Sequence, residues 1–108
     1  MISLLQFKQL IEKSSKCPES LPKALQGLWY DKKGEWDTAH EIVQEDANDA
    51  DSGWVHAYLH RKEGDLINAR YWYTRSGQSE SKVELDQEWE QIASNLLSKV
   101  NQAWMQMN

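Results

Sequence analysis

The chain has 108 residues, enough for one domain whose core stands without disulfides or metal. Its formal net charge of −5 argues against a nucleic-acid partner, because phosphate binding rests on clustered Lys and Arg. A single cysteine, Cys17, leaves no intrachain disulfide to form, and no apolar run reaches the length of a membrane span.

A reducing compartment follows from that cysteine usage, so a cytoplasmic location is expected. Gln6, Lys8, Gln9, Glu12 and Lys13 interrupt the amino-terminal apolar residues, a pattern unlike a signal peptide. Six Trp stand beside one Phe. Rings of that size anchor small helical cores or line ligand grooves.

From the amino terminus, Ser3 and Gln6 form a capping box ahead of Leu4, Phe7, Leu10 and Ile11, predicting a helix over 3–14. A connector follows, and then Pro22 opens a helix carrying Leu21, Ala24, Leu25, Leu28 and Trp29, closed by Gly34. Trp36 to Glu45 is the third helix, with Trp36, Ala39, Ile42 and Val43 inward. The acidic loop 46–53 ends in a cap signal at Asp51 or Ser52. WVHAYLHRKE, from Trp54, is apolar around most of its circumference and belongs in the middle of the fold. Gly64 and Asp65 turn the chain into a helix over 66–75, which returns Ile67, Ala69, Tyr71, Trp72 and Tyr73 against the previous one. Ser81 and Glu84 form a second capping box, opening the longest helix. Its stripe is Leu85, Trp89, Ile92, Leu96, Val100, Ala103 and Met107, extended by Trp104. No stretch alternates as a strand does, so the fold class is all-α, a single domain over 1–108.

Sliding the chain by thirty residues superimposes two hairpins, about 21–45 and 52–75, with Gly34 on Gly64, Glu35 on Asp65 and Ala39 on Ala69. Gly27, Tyr30, Gly34 and Ala39 have the spacing of a tetratricopeptide repeat, which the two hairpins resemble, although His60 stands where the second tyrosine would be. GEWDTAHEIVQ, WVHAYLHRKEGD and NARYWY together resemble a family of small uncharacterised bacterial proteins. The repeat resemblance implies two stacked helix hairpins, flanked by a short amino-terminal and a long carboxy-terminal helix, of a kind that binds proteins or peptides. It also places Trp54, Tyr58 and Arg61 on a concave face. Two rings and a guanidinium there suit an extended peptide or a terminal carboxylate. The competing occupant is the chain's own carboxy-terminal helix, whose stripe needs such a surface.

His56 and His60 are one helical turn apart, the spacing of paired metal ligands, and Glu63 continues their face. Ala57 occupies the position where zinc hydrolases carry a glutamate, so hydrogen-bonded packing histidines are the expectation here. His40 and Glu41 add ligands only if their helix faces His60, and otherwise are two exposed residues of an amphipathic helix. Asp46, Asn48, Asp49 and Asp51 fail the EF-hand pattern, since its fifth position is Ala50 and its glycine is missing. Cys17 precedes Pro18 in a loop with no histidine nearby. The expected function is therefore non-catalytic recognition of a protein or peptide, without cofactor, by a monomer or weak dimer. A small metal-dependent hydrolase using His56 and His60, with Glu41 or Glu63, is the alternative.

Overall fold

The computed structural model describes residues 1–107, with the side chains of Trp104 and Met107 outside the described set. Six helices follow one another, and no strand occurs among the described residues: α1 Leu4–Lys13, α2 Lys23–Lys32, α3 Trp36–Gln44, α4 Ala50–Glu63, α5 Leu66–Ser76 and α6 Leu85–Met107. The all-α class is as expected. The helices pack into one body with a radius of gyration of 13.2 Å, and none is long and apolar enough to cross a membrane.

Helices α2 and α3 form one hairpin and α4 and α5 a second, with α4 packed on both members of the first. The turns are made where glycine was expected: Gly34 and Gly64 adopt φ of 82° and 89°, a region that side-chain-bearing residues rarely enter. At Gly27 the reason for glycine is space. A Cβ there would lie 2.7 Å from Val43 Cγ1 and 3.2 Å from Val55 Cγ1, so its absence lets α2 close on α3 and α4 together. Ala39 and Ala69, the small residues of the second helix in each hairpin, are buried.

Helix α4 is the centre of the fold. Its fourteen residues include eight that are buried, from Ser52 to His60 on several faces. It starts at Ala50, earlier than Asp51 or Ser52 would have it. The Asp49 carboxylate accepts the Ser52 N–H at 2.8 Å and so caps the helix, while the Ser52 hydroxyl donates to Asp46 at 2.9 Å.

Helix α6 lies across α2 and α4 and also packs against α1, whose Phe7 lies between Trp29 and Trp89. Trp89 is the anchor. Its indole N–H donates to the Leu28 carbonyl at 3.0 Å, and Phe7 stacks on its ring at 5.9 Å between centroids. Trp89, Ile92, Ala93, Leu96 and Leu97 are buried, and Leu85 and Val100 partly so. Asn101 exchanges two hydrogen bonds, each 3.0 Å, with the backbone of Ile2, tying the start of α1 to the far part of α6.

Three expectations need correction here. Helix α6 begins at Leu85, not Ser81, because the Arg61 guanidinium takes the Val83 carbonyl and holds that segment out of helical geometry. The stripe stops short of Ala103, which is exposed, and its Trp104 and Met107 side chains fall outside the described residues. On α5, Ile67 and Tyr71 do not return against α4. They are 81% and 53% exposed, whereas Ala69, Tyr73 and, in part, Trp72 make the contact.

Candidate functional site

The groove formed by α2 and α4 is occupied by α6, and the residues expected to line it have partners inside the chain. Tyr58 is buried, and its hydroxyl donates to Asp31 Oδ2 at 2.8 Å, while Lys62 Nζ reaches Asp31 Oδ1 at 2.9 Å. Arg61 Nη1 is 2.8 Å from Glu88 Oε1 and its other amino group donates to the Val83 carbonyl. The Tyr73 hydroxyl donates to the remaining Glu88 oxygen. Trp54 is half-buried and packs against both hydrophobic clusters. In this network the Asp31 contacts join α4 to α2, and the Glu88 contacts join the second hairpin to α6. The two tyrosines ionise well above their ordinary range, first because burial penalises the phenolate and then because Asp31 and Glu88 sit beside them.

The second constellation gathers all three histidines of the chain. His56 and His60 share one face of α4, and α3 brings His40 against them. His40 Nε2 and His56 Nε2 are 3.0 Å apart, so one ring donates to the other. Ring centroids lie 4.7 Å apart for His40 and His56, 5.0 Å for His40 and His60, and 4.8 Å for His56 and His60. Two tryptophans wall the cluster. Trp36 stacks on His40 at 5.0 Å and Trp72 on His56 at 4.0 Å. The Trp36 indole N–H donates to the Leu59 carbonyl at 2.9 Å, which fixes its ring. His56 and His60 are buried and His40 half-buried. The Nδ1 atoms of His56 and His60 have no hydrogen-bond partner. Glu63 Oε2 lies 3.3 Å from His60 Nδ1, near enough to attract its positive form but outside hydrogen-bonding geometry.

His40 and Glu41 add ligands only if α3 faces His60 and are otherwise an exposed pair, and the two residues divide between these outcomes. Glu41 is exposed, but His40 belongs to the cluster. The signal was the buried Ala39 beside it. An alanine that lets two helices approach also carries its neighbour to the edge of the same interface.

Burial lowers the His56 pKa to about 3, helped by repulsion from the positive forms of His40 and His60. His40 is lowered by burial first and then by His60, against the opposing pull of Glu63, Asp37 and Glu41. The folded protein therefore binds fewer protons than the unfolded chain below pH 6.5, the ordinary histidine value, and stability falls as pH drops through that point. One proton of difference is worth about 1.4 kcal/mol per pH unit, so we expect urea unfolding in EDTA to report a loss of about 2 kcal/mol between pH 6.5 and 5. The raised tyrosines, and Cys17 with its thiol pushed up to about 11 by burial, act at the other end. There the unfolded chain releases protons first, and stability declines above about pH 9 to 10. A flat profile from pH 5 to 7 would contradict the burial of neutral imidazoles.

The third feature is the outward face of α5. Leu66, Ile67 and Tyr71 are 57%, 81% and 53% exposed, and Ile67, Arg70, Tyr71, Thr74 and Arg75 line a shallow depression. Arg70 pairs with Glu80 at 2.9 Å. Arg75 donates to the Tyr71 hydroxyl and to Asn48, each at 3.0 Å, and lies over the Trp72 ring.

No protein-family model matches this chain, and no curated protein and no solved structure matches it.

Proposed function

We propose that the chain is a non-catalytic recognition module for a protein or peptide, and that the outward face of α5 makes the contact. The observation that supports this reading is the exposure of Leu66, Ile67 and Tyr71 on one helix while the groove between α2 and α4 is taken by α6. Large apolar side chains grouped at a surface, with tyrosine and arginine among them, have the composition of interface hot spots. Arg70 and Arg75 border the apolar row, so the partner that fits carries an apolar stripe edged by carboxylates. The resemblance to helical repeats points to the same class of function, with the second helix of the last hairpin standing where a further repeat would stack.

Site-specific photo-crosslinking in the native cell tests the surface. A photoreactive side chain at Ile67 is expected to give a discrete adduct that Tyr71→Asp abolishes, while the same group at the exposed Gln91 of α6 gives none. Both positions are exposed, so neither change should move stability by more than about 0.5 kcal/mol. Equal adducts at both positions, or none at Ile67, would remove this face from consideration.

A further inference from the structure

We infer that His40, His56 and His60 form a binding site for one divalent transition-metal ion of the zinc class, joining α3 to α4. The three side chains each offer a nitrogen, and these nitrogens lie within 4.8 Å of one another. In a tetrahedral centre with bonds of 2.0–2.1 Å, ligand nitrogens sit about 3.3 Å apart. The closest pair here, at 3.0 Å, needs to open slightly and the others to close by no more than about 1.5 Å. The pair that changes least is the one the tryptophans stack on, so the adjustment falls to His60, which Trp36 meets only edge-on and which turns about its own side-chain torsions.

The hydrogen bonding of the cluster supports the same reading. Three neutral rings carry three N–H donors and three lone pairs, yet one hydrogen bond, between His40 and His56, joins them. Nδ1 of His60 is left buried without a partner, with the Glu63 carboxylate beside it. An unmet buried polar atom is costly, and a packing role would be filled by leucine or phenylalanine without that cost. A cation that takes one lone pair from each ring turns the crowding of three imidazoles into coordination. Imidazole is a ligand for zinc, copper, nickel and iron, and not for calcium or magnesium, which fixes the class of ion.

The surroundings are those of a held site. Trp36 and Trp72 stack on His40 and His56 and restrict their ring planes, and they surround the nitrogens with apolar surface. Glu63, 3.3 Å from His60 Nδ1, is placed to accept that N–H once the other nitrogen of the ring binds an ion, the usual carboxylate support of a ligating histidine. His40 is the half-exposed member, so solvent reaches the ion from its side and water completes the coordination. Glu41, the base that a hydrolytic site would recruit from α3, is exposed and outside the cluster. The ion thus acts as a clamp between the two hairpins, independently of the α5 surface.

The test uses the full chain without a polyhistidine tag, stripped with chelator and titrated with zinc and, for its visible spectrum, cobalt. The expected result is one ion per chain, a cobalt spectrum of tetrahedral character, and a higher melting temperature with zinc. His40→Gln removes one ligand at a half-exposed position and is expected to weaken zinc binding by at least about 100-fold with an unchanged far-UV spectrum, since losing a direct ligand costs more than losing its support. A second variant, Glu41→Gln, keeps wild-type affinity. Absence of a stoichiometric ion from the wild-type chain overturns the inference. So does undiminished binding by His40→Gln, which would place the ion on His60 with Glu63 and Asp65, the other grouping of donors within reach.

Discussion

Deletion of residues 81–108 is expected to leave a chain that aggregates or fails to melt cooperatively. Helix α6 buries Trp89, Ile92, Leu96 and Leu97 against α2, α4 and α1. At about 1.5–3 kcal/mol for each large side chain, their removal amounts to about 6–12 kcal/mol, comparable with the whole net stability of a small domain. The loss reaches further than α6 itself. Leu28 loses the donor to its carbonyl, Arg61 loses its carboxylate, and α1 loses the surface that carries Phe7. Thermal melting of a 1–80 fragment followed by circular dichroism checks this. A soluble fragment with a sharp transition would show the two hairpins to be self-sufficient.

The second large effect is expected at Glu88. The residue is 1% exposed, and its carboxylate is held by Arg61 on one oxygen and Tyr73 on the other. Glu88→Ala takes away the acceptor and leaves the guanidinium, whose side chain is 19% exposed, with the Val83 carbonyl as its remaining partner. Breaking a fully buried pair from one side costs about 3–5 kcal/mol, most of it the penalty of the stranded charge, and the partial exposure of Arg61 puts this pair at the lower end. Arg61→Leu in the same background removes the stranded group, so the double variant is expected to be more stable than Glu88→Ala alone. Urea unfolding of the four members of this cycle gives the coupling. A loss under 1 kcal/mol for Glu88→Ala would mean that water already solvates the pair. Through Glu88 and the Val83 carbonyl Arg61 anchors α6, a role different from the ligand contact expected of a concave groove.

Whatever depends on a few neighbouring residues could be read from the sequence. The capping box at Ser3, the turns at Gly34 and Gly64, the cap at Asp65 and the buried circumference of α4 all rest on interactions spanning one or two helical turns. The thirty-residue repeat of glycine and alanine, with its hairpins, is local in the same sense. The apolar stripe of α6 is legible in the same way, and a stripe of that length has to be covered, by the chain's own hairpins or by a second copy. What the tertiary structure alone decided is which side chains face one another from different helices. Ile67 and Tyr71 follow the spacing of inward residues, yet two hairpins leave nothing to cover that face of α5. Ser81 has the signature of a helix start, but a guanidinium twenty positions earlier competes for the backbone and moves the start to Leu85. The histidine cluster is of the same kind. The i, i+4 pair on α4 is visible in the sequence, and the third ring is not. It depends on how α3 is rotated against α4, where Gly27, Val43 and Val55 from three helices come together at a point that no local pattern contains.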